Sequence, residues 1–286
     1  MKCITVFFLA LSYSLGLLAR SPIILVSIDG LRPDAIYRTQ AKTLKKLINT
    51  GNYFSRAITI RPSITLPSHT SMLTGVSPKK HGIDWNSYQP ELGVVQYPTA
   101  LEIAKNNGYK TAIFAAKEKF LHLKRENGVD HFEVLETDGM KVVDAFKKYV
   151  EANGIADVTF IHLPDPDKYG HQFAWMSLLY LWAVNYADQA LDKIIKIASK
   201  ASKEQATFIV MADHGGFGFS HMMDIHLNNH IPFIVNGPDI AAEIKVKKEI
   251  VTYDTAATIL DLLQLPLPDY FDGKPVPLVK VNKNQW

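Results

Sequence analysis

Seven residues with metal-binding side chains occur at predicted strand ends and loops of this chain. They are Asp29, Thr65, Asp167, His171, Asp213, His214 and His221. Three carboxylates, three imidazoles and one hydroxyl suit Zn²⁺, whereas imidazoles are poor ligands for Mg²⁺. The chain has ten histidines, so a single Asp-His pair would mean little. Four separate segments of this kind favour a centre with two Zn²⁺ ions.

The elements that must position these residues alternate between strand and helix. Short β-branched runs bounded by turns predict strands over residues 23–28, 111–115, 158–163, 207–211 and 232–235. Apolar residues at helical spacing predict helices over residues 40–49, 99–107, 139–151, 176–199 and 253–263. This alternation predicts an α/β fold with a mostly parallel central sheet and helices on both faces.

The predicted aspartate ligands follow three of these strands. Asp29 follows the first strand directly, Asp167 follows a proline-rich turn, and Asp213 follows the strand over 207–211. Ligands of such sheets bind beyond the carboxyl ends of the strands. One strand-end aspartate more often caps a turn or a helix. Three of them, two with histidines nearby, favour a shared metal site.

Thr65 lies in a segment that we expect to be a loop entering a helix, with Pro67 near the first helical position. A hydroxyl there faces the positive end of the helix dipole, which favours an alkoxide and a bound phosphate. A plain capping threonine is the alternative. The metal-type residues favour a nucleophile, because a bound Zn²⁺ lowers the pKa of a hydroxyl without an adjacent general base.

Composition limits the other function classes. The chain has 286 residues, of which 47% are apolar, and this is enough for one sizeable core. A net charge of +3 with scattered basic residues gives no sign of binding to a nucleic acid polymer. No internal repeat or linker interrupts the chain, so residues 20–286 are predicted to form one domain. The oligomeric state stays open.

The N-terminus has the pattern of a secretory signal peptide. Lys2 precedes an apolar run over residues 4–18, which is short for a membrane span and is followed by Ala19. We predict cleavage after about residue 19 and a secreted or periplasmic protein with no stable membrane span; an uncleaved anchor is the alternative. Cys3, the only cysteine, lies in this segment, so the mature chain would have no disulfide.

Ordered motifs extend along almost the whole mature chain. They are Ser27-Ile-Asp-Gly-Leu-Arg-Pro-Asp34, Thr65-Leu-Pro-Ser-His69 with Thr74-Gly75, Pro78 and His81-Gly-Ile83, then Pro166-Asp167 with Gly170-His171, and Ala212-Asp-His-Gly215. Together they resemble the nucleotide pyrophosphatase/phosphodiesterase branch of the alkaline phosphatase superfamily. The resemblance implies an alkaline-phosphatase-like fold and a two-zinc hydrolase. Such an enzyme acts on small phosphate esters through a covalent phospho-threonine.

The resemblance also implies a role for each site residue. One metal would be held by Asp167, His171 and His221, and the other by Asp29, Asp213, His214 and the Thr65 hydroxyl. Asn86 corresponds to the residue whose amide binds a phosphoryl oxygen. His226 and His230 also follow the Asp-His pair. They are predicted to be loop residues, because His221 matches the family's spacing to the downstream strand.

The loop between His214 and His221 departs from the larger relatives. Only Gly215–Ser220 separates the two histidines, where those relatives have a long insert. The substrate therefore cannot be carried over from the resemblance.

The same residues also bear on other activities. A sulfatase is rejected, because Thr65 is not an oxidisable residue and the required arginine is missing. A phosphonoacetate-hydrolase-like C–P hydrolase or a phosphomonoesterase stays open. Lys117 and Lys119 resemble the paired lysines of the former or belong to a solvated loop. A catalytically silent metal-binding protein is the third alternative, and the intact nucleophile, Asn86 and ligands favour an enzyme over it.

Overall fold

The computed structural model describes residues 21–282, which contain an eight-stranded sheet and a two-stranded one. The strands are β1 (Ile23–Ile28), β2 (Asn52–Phe54), β3 (Ala57–Ile58), β4 (Thr111–Ala115), β5 (His131–Val134), β6 (Val158–Leu163), β7 (Thr207–Met211), β8 (Phe233–Asn236), β9 (Ile244–Val246) and β10 (Ile250–Val251). The large sheet has the order β5-β4-β6-β1-β7-β8-β2-β9, and β3 pairs with β10. Its strands are parallel except for β8, which runs antiparallel to both of its neighbours.

Helices cover both faces of the large sheet. They are α1 (Pro33–Arg38), α2 (Lys42–Thr50), α3 (Thr65–Thr74), α4 (Pro78–His81), α5 (Ala100–Asn106), α6 (Gly139–Asn153), α7 (Asp165–Phe173), α8 (Leu178–Ser202), α9 (His226–Asn229) and α10 (Asp254–Leu262), with 3₁₀ turns at Pro90–Leu92 and Glu118–Leu123. One group packs α2, α6 and α7 against α8, and a second group packs α3, α5 and α10 together. Both groups contact the central strands, which confirms the predicted fold class.

The centre of the sheet brings three strand ends together. All six residues of β1 are buried, as expected for a parallel strand covered on both faces. Strand β1 lies between β6 and β7, with Ile28 paired to Leu163 and Ser27 paired to Met211. The carboxyl ends of the three strands are therefore level, and the segments that follow them meet at one edge.

The sequence predicted the main elements closely. Four predicted strands have the observed bounds, and the fifth is shifted by one residue to Phe233–Asn236. The five predicted helices are present, with ends displaced by three residues at most. Helix α3 begins at Thr65 itself, so Pro67 is its third residue rather than near its first. The short strands and helices α1, α4, α7 and α9 were not predicted.

The structure does not describe the N-terminal segment, but it does show whether the helices that follow could cross a membrane. The predicted signal peptide lies outside the described residues. Within residues 21–282, no helix is both long and apolar enough to cross a membrane.

Candidate metal centre and active site

Three aspartates meet where β6, β1 and β7 end. Asp29 follows β1 directly, and its backbone N–H donates to Leu163 O at 2.9 Å. The Asp167 N–H donates in turn to Asp29 O at 3.0 Å, which ties the start of α7 to the end of β1. The Gly30 N–H donates to Asp213 Oδ1 at 3.1 Å. Backbone and side-chain hydrogen bonds therefore hold the three carboxylates in one buried cluster.

One oxygen of each carboxylate in this cluster is buried without a hydrogen bond. These atoms are Asp29 Oδ1, Asp167 Oδ1 and Asp213 Oδ2. They lie 3.4, 3.9 and 3.3 Å from His214 Nε2, respectively. Burial, followed by repulsion from Asp29 and Asp167, raises the pKa of Asp213 well above its ordinary range. A buried carboxylate oxygen without a partner is costly, so this convergence fits a divalent cation.

Three histidines present Nε2 to the same cluster, because each uses Nδ1 on a backbone carbonyl. The histidines His214, His221 and His171 pair with the carbonyls of Gly215, Ser63 and Phe219, respectively. A carbonyl only accepts, so Nδ1 carries the proton and Nε2 keeps its lone pair in the neutral ring. This is the tautomer that a metal ligand needs.

Burial favours the neutral, ligating form of two of these histidines. It lowers the pKa of His221 to about 3, with His214 as a further cause, and it also lowers the pKa of His214. His171 differs, because its contact with Asp167, whose Oδ1 lies 3.3 Å from Nε2, raises its pKa, and its side chain is 45% exposed. His171 therefore lies at the open edge of the centre.

Two groups of side chains in residues 21–282 have ligand atoms close enough to share a metal ion. One group is Asp167, His214 and His221, and the other is Asp29, Asp213 and His214, with all atoms of a group within 4.8 Å of one another. His214 belongs to both, whereas the resemblance assigns it to one. His171 lies outside both groups, with Nε2 3.3 Å from Asp167 Oδ1.

The short loop after His214 folds as a tight hairpin that returns His221 to the centre. Phe217 and Ser220 form an isolated antiparallel bridge, and the Trp175 N–H donates to Gly218 O at 2.7 Å. The rings of His214 and His221 stack with centroids 3.7 Å apart. A Cβ at Gly216 would lie 2.0 Å from the Trp175 ring, so glycine is required there.

Thr65 is the first residue of α3 and is almost completely buried. Its Oγ1 lies 3.3 Å from His214 Nε2. The Thr65 carbonyl accepts from His69 Nδ1 at 2.8 Å. The hydroxyl therefore lies beside the metal-ligand cluster at a helix N-terminus, where the dipole favours negative charge.

Asn86 lies beside Thr65 and has a defined amide orientation. Its Oδ1 accepts from the Leu66 N–H at 3.0 Å and from Lys119 Nζ at 3.0 Å. Because both donors use the carbonyl end, Nδ2 is the end left to donate to a bound oxygen. Lys119 thus contacts a predicted site residue, and burial lowers its pKa.

Two residues join the centre that the sequence did not assign to it. His162 lies in β6 and donates through Nε2 to Asp29 Oδ2 at 2.9 Å, since its Nδ1 accepts from the Ala116 N–H. Lys117 Nζ is 2.6 Å from Asp29 Oδ2 and 2.6 Å from Asp167 Oδ2. A histidine next to the last residue of a strand of Val, Thr, Phe, Ile and Leu is the signal that could have drawn attention to His162.

The sequence profile of the type I phosphodiesterase / nucleotide pyrophosphatase family matches residues 23–254, a span that includes all the residues of this site. The chain belongs to this family. Solved structures agree in fold: murine ectonucleotide pyrophosphatase / phosphodiesterase 5 superposes with a TM-score of 0.72 at 16% identity, covering 87% of this chain and 96% of that one. An inactive variant of the murine protein in complex with AMP gives a TM-score of 0.71 at 15% identity, with the same coverage.

The chain is also similar to parts of proteins that are much longer than it is. Venom phosphodiesterase 2 of Crotalus adamanteus is 24% identical, covering 88% of this chain and 34% of the venom protein. The human ectonucleotide pyrophosphatase/phosphodiesterase family member 1 is 23% identical, covering 75% of this chain and 26% of the human protein. A 2,3-bisphosphoglycerate-independent phosphoglycerate mutase of Synechocystis is 30% identical, covering 50% and 29%. The chain thus spans about a third or less of the length of these relatives.

Proposed function

We propose that this chain hydrolyses small phosphodiesters, of the nucleotide pyrophosphatase type, at two zinc ions and through a covalent phospho-threonine on Thr65. The observation that supports the proposal most directly is the convergence on His214 Nε2. The Thr65 hydroxyl and three buried, unpartnered carboxylate oxygens all lie within 3.9 Å of that nitrogen. Such a constellation serves a metal-assisted nucleophile.

The residues present fit a pair of divalent cations. Asp167 and His221, with His171 at the edge, would hold one ion. Asp29 and Asp213 would hold the other, with His214 between the two groups. When bound, such ions supply positive charge that lowers the pKa of a hydroxyl and neutralises phosphoryl oxygens. Mixed carboxylate and imidazole ligands favour Zn²⁺ over Mg²⁺.

Thr65 forms and breaks the covalent bond in the proposed reaction. Its Oγ1 gives up its proton to water and bonds to phosphorus while the bond to the leaving oxygen breaks, and the leaving oxygen takes up one proton from water, so the step consumes no net proton. A water molecule then cleaves the Oγ1–phosphorus bond, which releases phosphate or a phosphomonoester and restores the hydroxyl. The buried position of Thr65 keeps bulk water away from the nucleophile.

Asn86 and the start of α3 stabilise charge on the phosphoryl group. The fixed carbonyl end of Asn86 leaves Nδ2 to donate to a phosphoryl oxygen, where charge develops in the transition state. The N-terminus of α3 adds the positive end of its dipole. Both groups are in place before the substrate binds, which avoids the cost of reorganising them.

The proposed substrate class is a small phosphate ester, and nucleotides are its first candidates, because a similar structure contains AMP. The purified protein is assayed with nitrophenyl monoester and diester, a dinucleotide and phosphonoacetate. We expect the diester or the dinucleotide to be cleaved fastest. An acid quench during turnover should leave a phosphoryl group on the tryptic peptide that contains Thr65. Cleavage without any phosphopeptide would contradict the covalent step.

A monoester or phosphonate substrate is the second candidate, and one contact favours it. Lys119 Nζ lies 3.0 Å from Asn86 Oδ1, so an extra cation stands next to the proposed phosphoryl site. A substrate with an additional negative charge would benefit from it. Fastest cleavage of the monoester or of phosphonoacetate in the same assay would favour this candidate, and no cleavage of any ester would favour a silent metal-binding protein.

A further inference from the structure

Lys117 links the two proposed metal-ligand groups. It follows β4, and its Nζ lies 2.6 Å from Asp29 Oδ2 and 2.6 Å from Asp167 Oδ2, one carboxylate from each group. Its side chain is 20% exposed, whereas those of the two aspartates are 0% and 7% exposed. No other lysine or arginine forms an ion pair with these aspartates in residues 21–282. Lys117 is thus the cation that bridges the two groups.

In both aspartates, the two carboxylate oxygens have different surroundings. Asp29 Oδ2 accepts from Lys117 and from His162, while Asp29 Oδ1 has no hydrogen bond and lies 3.4 Å from His214 Nε2. Asp167 Oδ2 accepts from Lys117, while Asp167 Oδ1 is buried without a hydrogen bond, 3.9 Å from the same nitrogen. Each carboxylate therefore has an outer oxygen on the ammonium and an inner oxygen facing the histidines.

We propose that Lys117 is a positioning residue that holds the outer oxygens of Asp29 and Asp167, so that each aspartate offers a single oxygen to a metal ion. This inference rests on the metal centre of the proposed function. It adds a residue that limits the number of aspartate oxygens bound to each metal ion. An ammonium repels a metal ion from the carboxylate oxygen that it contacts, so the other oxygen is the one left to bind the metal. Each metal then keeps an open position for substrate.

The positive charge of Lys117 weakens the binding of metal ions at this centre. Lys117 is an ammonium, because a carboxylate oxygen of each aspartate lies 2.6 Å from its Nζ and favours the charged form. An ammonium beside two metal sites stabilises the empty site and repels incoming cations. Without it, the empty site loses its counterion and both oxygens of each aspartate become available to one metal. Removal of Lys117 should therefore tighten metal binding while it closes positions that substrate needs.

The test compares Lys117→Met with two matched variants. Lys119→Met removes the same charge two residues away, where the lysine contacts Asn86 instead of the aspartates. Lys110→Met removes an exposed lysine next to the other end of β4. For each protein we measure the melting temperature with and without zinc, the zinc affinity by competition with a chromophoric chelator, and the visible absorption of the cobalt-substituted form.

We expect three changes that are specific to Lys117→Met. The melting temperature of the zinc-free protein falls by roughly 4–10 °C, and that of the zinc-loaded protein falls less. The zinc affinity rises by roughly 10–100-fold, the size of effect that contacts behind metal ligands have, here with the sign set by the lost cation. The cobalt absorption weakens, because additional ligand oxygens raise the coordination number.

The opposite results would overturn the inference. One such result is a zinc affinity that stays unchanged or decreases in Lys117→Met. Another is a melting temperature that falls by the same amount with and without zinc. The same changes in Lys119→Met would mean that only the total charge matters. Lys117→Gln, which keeps a donor without the charge, replaces Lys117→Met if that variant does not fold, and the same criteria apply. A wild-type protein that binds no zinc would instead refute the proposed function, and this inference with it.

Discussion

Among single residues, Thr65 gives the most direct test, because both proposed half-reactions pass through its Oγ1. Thr65→Ala removes the attacking atom, so kcat on a nitrophenyl phosphodiester should decrease by several orders of magnitude. Thr65→Ser keeps the hydroxyl and loses only a methyl group, so part of the activity should remain. Steady-state kinetics of the three proteins measure the difference.

The control for Thr65→Ala is its metal content. Six other ligand side chains remain in the variant, among them His214, whose Nε2 lies 3.3 Å from Thr65 Oγ1. Elemental analysis should therefore find the same zinc content as in the wild type. Near-normal turnover by the zinc-loaded variant would mean that water attacks phosphorus directly, and the phospho-threonine would have to be abandoned.

Asn86 should matter less than Thr65, since it supplies one hydrogen bond rather than the reacting atom. Loss of one donor to a charged transition state costs about 100–1,000-fold in kcat, and we expect Asn86→Ala to fall in this range. Its Oδ1 also accepts from the Leu66 N–H, so a thermal melt must accompany the assay. Asn106→Ala, at the exposed end of α5, is the matched comparison. An increase in KM with an unchanged kcat would contradict the assigned role, because it would mean that Asn86 binds the ground state and the transition state equally.

The residues of the centre differ in how visible they are in the sequence. Asp29 and Asp213 stand at the ends of predicted strands, and the repetition of such aspartates with histidines nearby identified them as ligands rather than as turn caps. His162 stands inside the apolar strand β6, and nothing local indicates that its ring reaches Asp29 across the β1–β6 pair. Lys117 was considered as a substrate contact, and its position between two carboxylates depends on three separate loops.

Among the elements, α7 was missed for a physical reason. Its sequence contains Pro166 and Gly170 and follows Pro164, which together predict a turn. A proline is tolerated in the first turn of a helix, and the acidic residues there suit the dipole. Gly170 allows the Trp175 ring to pack closely, since a Cβ would lie 2.6 Å from it. Tertiary packing thus overrides the local turn signal in α7, whereas the local sequence of a buried strand such as β1 is enough to predict it.

Helix α4 gives a prediction about pH, because His81 at its end is buried and neutral. The His81 Nδ1 accepts from the Ile83 N–H at 3.0 Å, and its Nε2 lies 3.1 Å from Ser71 Oγ. Burial lowers the pKa of His81 to about 4. An unfolded histidine takes up a proton near pH 6.5 while the folded one stays neutral, so the free energy of unfolding falls as the pH decreases from about 6.5 to about 4.

Replacement of this histidine should reduce that dependence. Between pH 7 and pH 5, the protonation of His81 in the unfolded state lowers the free energy of unfolding by about 2 kcal/mol. The decrease in His81→Gln should be smaller than that in the wild type by this amount. Urea denaturation at the two pH values measures it. His226→Gln, which removes an exposed histidine, is the matched comparison. An equal loss of stability in wild type and His81→Gln would show that His81 titrates normally in the folded state.

For the whole molecule, the predicted location depends on the N-terminal segment. Lys2 and the apolar run over residues 4–18 predict a cleaved signal peptide, and that residues 20–286 form one domain also stays a prediction. N-terminal sequencing of protein from the native cell should begin near residue 20, in a fraction outside the cytoplasm. Protein in the cytosolic fraction that still begins at Met1 would contradict this location.

Metal removal tests the whole molecule, because the proposed ligands come from segments at the ends of three strands and their binding energy adds to the free energy of folding. The purified mature protein should contain about two zinc ions per chain by elemental analysis. A free zinc concentration 100-fold above Kd adds about 2.7 kcal/mol per site, which corresponds to roughly 5–10 °C in melting temperature for a chain of this size. Chelation should therefore abolish hydrolysis and lower the melting temperature.

Adding metal back provides the control for chelation. Zn²⁺ should restore both activity and melting temperature, whereas Mg²⁺ should restore neither, because it demands oxygen ligands and His214 and His221 offer imidazole nitrogens. The three unpartnered carboxylate oxygens give the physical reason for the stability gain, since a bound cation replaces their mutual repulsion by attraction. Full activity in protein that contains no metal would refute the two-zinc centre, and recovery with Mg²⁺ alone would mean that the imidazoles are not ligands.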